Sequence, residues 1–209
     1  MKLHRADTTP DWELVAAGKR NVWQQWAVRT RGIVTPGNVA SGLGVLLVGV
    51  GLAYIGRGRL WLGLIILTAG RLLDIIDGAI AERTGTKSPL GESVDASLDK
   101  TAVFAALIVF TAVGILPLPF ALFVGLQNGV TAVLSLVAKS LRRTIHPVHA
   151  GKIGGALVWV ALLGFVLGAA VHAGFAPVFT ALAYILALVS VALNTYATIR
   201  YAQAFHAQR

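Results

Sequence analysis

Residues 74–99 read DIIDGAIAERTGTKSPLGESVDASLD, and the fold is decided by how this stretch is read. It holds six of the chain's nine carboxylates, and from Lys100 to Arg209 there is no Asp or Glu. The other three, Asp7, Asp11 and Glu13, lie near the N-terminus. Strongly apolar sequence flanks the stretch on both sides. Carboxylates that close to lipid are costly, and several together repel one another unless a cation neutralises them. Metal binding is therefore the first reading of the segment.

Composition sets the class. Of 209 residues, 56% are hydrophobic and 13% charged, where a soluble domain carries about 25% charged residues. With a mean hydropathy of +0.73, the chain reads as an all-α integral membrane protein. Cysteine is absent, which excludes disulfides and thiolate metal sites. The first 35 residues are polar and basic with no continuous apolar run, so no cleavable signal peptide is expected. A net charge of +9 placed in loops and tail suits anionic lipid headgroups or phosphorylated substrates. No nucleic-acid partner is expected for an all-helical membrane chain.

A span needs about 20 apolar residues. Six segments qualify, at 39–55, 60–81, 94–116, 118–138, 154–172 and 177–196, joined by Gly- or Pro-bearing turns at 56–59, 117–119 and 174–177. The expected organisation is a cytoplasmic tail at 1–35 and a six-helix transmembrane domain at 36–209. Lys and Arg fix the orientation. Lys2, Arg5, Lys19, Arg20, Arg29, Arg31, Arg83, Lys87, Lys139, Arg142, Arg143, Lys152, Arg200 and Arg209 fall on one side, and only Arg57 and Arg59 on the other. Both termini and the acidic segment are thus expected to face the cytoplasm; the expected location is a prokaryotic cytoplasmic membrane. Over 11–30, Trp12, Val15, Ala16, Val22, Trp23, Trp26 and Ala27 follow a helical stripe among basic residues, which predicts an amphipathic interfacial helix.

Within the acidic stretch, Asp74 and Asp77 stand three residues apart, with Ala81 four further on, on one face of a helix leaving the bilayer. Asp95 and Asp99 are four apart on the helix that re-enters, and Gly91 lies one turn earlier. Two antiparallel helix ends would then face each other with four carboxylates. Such hard oxygen ligands suit Mg²⁺ or Mn²⁺ rather than zinc. Four acids suffice for two ions, and paired metals can clamp a pyrophosphate and its leaving group. Gly78 and Gly91 leave room for a ligand against the backbone, and Arg83, Lys87, Thr84, Thr86 and Ser88 supply donors. Helix caps and surface ion pairs would explain Asp95 and Asp99, but not four acids on converging faces.

This pattern resembles the CDP-alcohol phosphatidyltransferases, whose motif is D-x2-D-G-x2-A-R-x8-G-x3-D-x3-D. Asp74, Asp77, Gly78, Ala81, Gly91, Asp95 and Asp99 fall in register across 26 residues, seven of eight specified positions. The departure is Glu82 at the Arg position, with Arg83 immediately after it. The resemblance implies six spans, an amphipathic N-terminal helix, a homodimer, and transfer of a phosphatidyl-type group from a CDP-linked lipid to an alcohol with release of CMP. It implies metals held by Asp74, Asp77 and Asp95, with Asp99 as the base toward the acceptor hydroxyl and a further metal contact. It also implies a CDP-lipid pocket at Asp74, Asp77, Gly78, Ala81 and Gly91, to which Asn38, Arg83 and Lys87 are candidates.

For the acceptor, Arg142, Arg143 and Lys152 lie on the side of the acidic site, where they serve either a phosphate pocket or the positive-inside signal alone. Relatives using phosphorylated alcohols bear basic residues in this region, which favours glycerol 3-phosphate, with inositol phosphate, serine or another alcohol as alternatives. Arg71, one turn deeper than Asp74, either pairs with it, the more ordinary reading, or lines the acceptor cavity. Gly164 and Gly168 form a small-residue pair that permits close helix packing. Two other classes fit less well. Intramembrane prenyltransferases need two distant Asp-rich segments, and a divalent-cation transporter needs acids in the middle of several helices.

Overall fold

The computed structural model describes residues 10–140 and 149–207. Among these residues the chain is helical, with no strand. Seven α-helices follow in order: α1 Val22–Arg29, α2 Pro36–Gly56, α3 Leu60–Thr84, α4 Pro89–Ala112, α5 Leu118–Ser140, α6 His149–Ala170 and α7 Ala176–Ala207. Two single 3-10 turns, Asp11–Glu13 and Ala17–Lys19, precede α1. Among the described residues three helices are long and apolar enough to cross a membrane: α2, α6 and the Ala176–Gln203 part of α7, at mean hydropathies of 2.0, 2.2 and 2.2. α3, with 25 residues, and α4, with 24, are as long but carry the acids.

Local chemistry sets the helix ends. Thr35 caps α2, its Oγ1 accepting from Asn38 N at 3.2 Å, and Pro36 takes the first helical position, where a missing N–H costs nothing. Ser88 and Pro89 repeat the device for α4, with Gly91 N donating to Ser88 Oγ at 3.0 Å. This cap starts α4 at Pro89 rather than at 94, because a polar first turn forms helix without any apolar signal. α3 stops where Gly85 turns left-handed at φ +63°, and Thr86 N closes on Ala81 O at 2.9 Å. α7 runs well beyond the apolar segment that ends at 196, through a polar tail of good helix formers.

The stripe at 11–30 does not form one helix. Asn21 starts α1 afresh through a capping box: its Oδ1 accepts from Gln24 N at 2.8 Å, and Gln24 Oε1 accepts from Asn21 N at 3.1 Å. Upstream, Arg20 Nε donates to the carbonyls of Trp12 and Val15, at 2.9 and 3.1 Å, which folds that segment into turns. Trp12 is accordingly buried at 4% exposure, while Trp23 and Trp26 remain half exposed. The segment is tied to the α3–α4 turn by three bonds. Asp11 N donates to Lys87 O at 3.1 Å, Asn21 Nδ2 to Thr84 O at 3.0 Å, and Gln24 Nε2 to Gly85 O at 3.2 Å.

The chain divides into two compact units. The first holds the described residues up to Ala53 together with Ile65–Ala102. Here α2 and α3 approach until their backbones nearly touch: a Cβ on Gly70 would lie 2.8 Å from Gly44 O, and one on Gly44 3.0 Å from Gly70 O. The second unit holds Tyr54–Leu64 and the chain from Val103 onward. Its core includes an edge-to-face cluster of Phe120, Phe165 and Tyr184, with centroids 4.8–6.1 Å apart. Gly164 receives Ala183 and Gly168 receives Thr180, so the small-residue pair seats α7 on α6 as its spacing predicts. Below it Ser190 donates to Gly154 O at 2.7 Å, and Asn194 Nδ2 to Ser190 Oγ at 3.3 Å.

Candidate active site

The acids of α3 and α4 meet within the first unit through a cation of the chain itself. Arg71 extends Nη1 to Asp74 Oδ2 and Nη2 to Asp99 Oδ1, each at 2.8 Å. One guanidinium thus joins the middle of α3 to the middle of α4. Its side chain and that of Asp74 are 13% and 12% exposed, while Asp99 is more open at 33%. Asp77, one turn beyond Asp74, is buried and accepts a hydrogen bond from the Ser41 hydroxyl of α2.

Beside Asp77 lies a cavity of about 260 Å³. Gly37, Asn38 and Ser41 of α2 form one wall, and Asp77, Gly78, Ala81 and Glu82 of α3 another. Thr86, Lys87, Ser88 and Gly91 close it from the turn and the start of α4. Small residues make the space. A Cβ on Gly37 would stand 2.9 Å from Ala81 Cβ, and one on Gly91 3.2 Å from both Asn38 Oδ1 and Ser88 Oγ. A Cβ on Gly78 would meet nothing within 4 Å, so its bare backbone faces open space. Asn38 braces the wall, donating from Nδ2 to Gly32 O at 2.9 Å and Ile33 O at 3.1 Å.

The structure gathers Asp74, Asp77, Gly78, Ala81, Lys87, Gly91, Asn38 and Asp99 into the first unit. Arg83 is exposed and is not among the lining residues, whereas Glu82 is. The Asp95 side chain, Arg142 and Arg143 lie outside the described residues. Lys152 is exposed on the first turn of α6, in the second unit. Gly37 and Ser41 were not singled out from sequence; their signal was only a four-residue spacing after Pro36. Among the described residues, no three acids or histidines form a ready metal cluster. The donor chemistry nevertheless fits a hard divalent cation, since carboxylates from two helices already converge on one positive group.

A helical membrane-type fold with an acid-lined cavity between helix ends defines a class, and comparison with known proteins agrees with it. Residues 34–196 match the CDP-alcohol phosphatidyltransferase family, and the chain belongs to that family. It is therefore an enzyme of phosphatidyl transfer in phospholipid synthesis. An uncharacterised protein of Aquifex aeolicus (strain VF5) is 29% identical over 135 residues, covering 62% of this chain and 67% of its own. The crystal structure of the Mycobacterium tuberculosis phosphatidylinositol phosphate synthase, in its apo form, superposes with a TM-score of 0.60. That match covers 84% of this chain and 92% of the other at 19% identity, so it speaks to the fold.

Proposed function

We propose that the protein transfers a phosphatidyl group from a CDP-linked lipid to an alcohol and releases CMP. The observation that carries this is a cavity lined by Asp77 and Gly78, one helical turn from Asp74, which shares Arg71 with Asp99. Asp74, Asp77, Asp95 and Asp99 would hold two Mg²⁺ or Mn²⁺ ions, which when bound neutralise the pyrophosphate and stabilise the departing CMP. Ser41 holds Asp77 in place, and Arg71 aims Asp99 toward Asp74. Asp99, the most open of the three described acids, takes the proton from the acceptor hydroxyl as its oxygen bonds to the lipid-side phosphorus. The bond from that phosphorus to the CMP oxygen breaks, and CMP leaves. Gly78, Ala81 and Gly91 bound the nucleotide pocket, with Asn38 and Lys87 beside it.

In this reading α2 to α7 all cross the membrane, with Trp23 and Trp26 of α1 in the cytoplasmic interface and the active site on that side. The protein works as a homodimer, an expectation taken from the family. Arg142, Arg143 and Lys152 receive an anionic acceptor, with glycerol 3-phosphate preferred. The Mycobacterium neighbour's name makes inositol phosphate the second reading. The test is CMP release by purified protein given a CDP-lipid, Mg²⁺ or Mn²⁺, and a panel of alcohols. Activity with serine or free inositol alone would remove the phosphorylated acceptor. Asp99→Asn is expected to retain CDP-lipid binding and lose turnover; near-normal turnover would remove Asp99 from the base role.

A further inference from the structure

We propose that Glu82 reads the nucleobase of the donor, accepting a hydrogen bond from the exocyclic amine of cytosine and setting the preference for a cytidine over a uridine nucleotide. The inference rests on the CDP-linked donor proposed above and assigns a specificity role within it. Glu82 stands where the family pattern has an arginine, and the structure places it on the cavity wall, while Arg83 is not a lining residue.

Register on α3 gives the geometry. Asp74, Gly78 and Glu82 follow at four-residue steps, so they share one face of the helix. At 1.5 Å per residue, Asp74 and Glu82 are separated by about 12 Å along the axis. Between them Gly78 leaves the backbone bare, with open space where a side chain would stand. That separation matches the reach of a nucleoside monophosphate laid along the helix, phosphate toward Asp74 and Asp77, sugar over Gly78, base at Glu82.

Chemistry fixes the direction. An ionised carboxylate only accepts hydrogen bonds, and it repels phosphate. Glu82 is exposed at the cavity's rim, and its end of the cavity therefore suits a donor on the ligand rather than a phosphate. Cytosine presents an amine at its fourth position, a group that Glu and Asp accept from in base recognition, whereas uracil presents a carbonyl that a carboxylate rejects. Hydroxyls nearby cannot make this distinction, since Thr86 and Ser88 both donate and accept. Asp77, the other carboxylate lining the cavity, is engaged by Ser41.

The test is equilibrium binding of CMP, UMP and 2′-deoxy-CMP to the purified full chain with Mg²⁺, for wild type, Glu82→Gln and Glu82→Ala. The readout is the ratio of affinities, which does not depend on how much of a variant is folded. Wild type is expected to favour CMP over UMP. Both variants are expected to lose about tenfold of that preference, with the CMP to deoxy-CMP ratio unchanged. An unchanged CMP to UMP ratio in the variants overturns the role of Glu82 and leaves the donor class standing. A shift confined to the deoxy-CMP ratio places Glu82 on the ribose and also overturns it. A wild-type protein that binds neither CMP nor UMP overturns the CDP-linked donor itself, and this inference with it.

Discussion

Arg71 carries two ion pairs at once, and its removal would leave Asp74 and Asp99 facing each other without their shared cation. Breaking a buried pair costs several kcal/mol, but Asp99 is a third exposed and water screens part of that. Arg71→Met is expected to lower stability by about 1–3 kcal/mol. Added Mn²⁺ should recover more melting temperature in the variant than in wild type, because the acids then gain the cation they lack. A variant as stable as wild type without any ion would remove the ionic role of Arg71. Sequence predicted the pairing with Asp74 from one-turn spacing. The second pair, to Asp99, was not legible, because no local spacing records which helix face turns toward another across 28 positions of chain.

At the scale of elements, the acidic spacing in α3 and α4 was legible because it obeys the helical period, and the turn between them because Gly85 takes a left-handed φ, Ser88 caps a helix and Pro89 suits its first position. Hydropathy misplaced the start of α4, since a capped polar turn is helix without being apolar. It also suggested one interfacial helix where Asn21 restarts the chain. The α2 wall of the cavity was mostly illegible: Gly37 and Ser41 acquire meaning only once α2 is laid against Ala81 and Asp77. The approach of Gly44 on Gly70 permits no side chain, because the Cβ of any substitute at Gly70 meets Gly44 O at 2.8 Å and Val48 N at 3.0 Å. Gly70→Val should force the helices apart, cost about 1–3 kcal/mol and weaken CMP binding. Unaltered CMP affinity in that variant would show that the cavity does not depend on this crossing.

For the molecule as a whole, the division into two compact units separates two kinds of polar group. Several of the first unit line a cavity, while in the second Ser190, itself bonded by Asn194, holds α7 to the backbone of α6. Ser190→Val is therefore expected to reduce thermal stability, on the order of 1 kcal/mol as for other interhelical bonds in membranes. Nucleotide affinity should stay within twofold of wild type at temperatures where the variant is folded. A large loss of CMP affinity would show that the units are coupled more tightly than their internal packing implies. The three bonds from Asp11, Asn21 and Gln24 to the α3–α4 turn have a bearing on ancestry and exchange. Hydropathy invites a cut between residues 35 and 36, yet Asp11, Asn21 and Gln24 upstream are bonded to the turn that closes the cavity. A chimera that borrows its leading segment from a relative must keep amide donors at positions 21 and 24, for the turn meets them with backbone carbonyls alone.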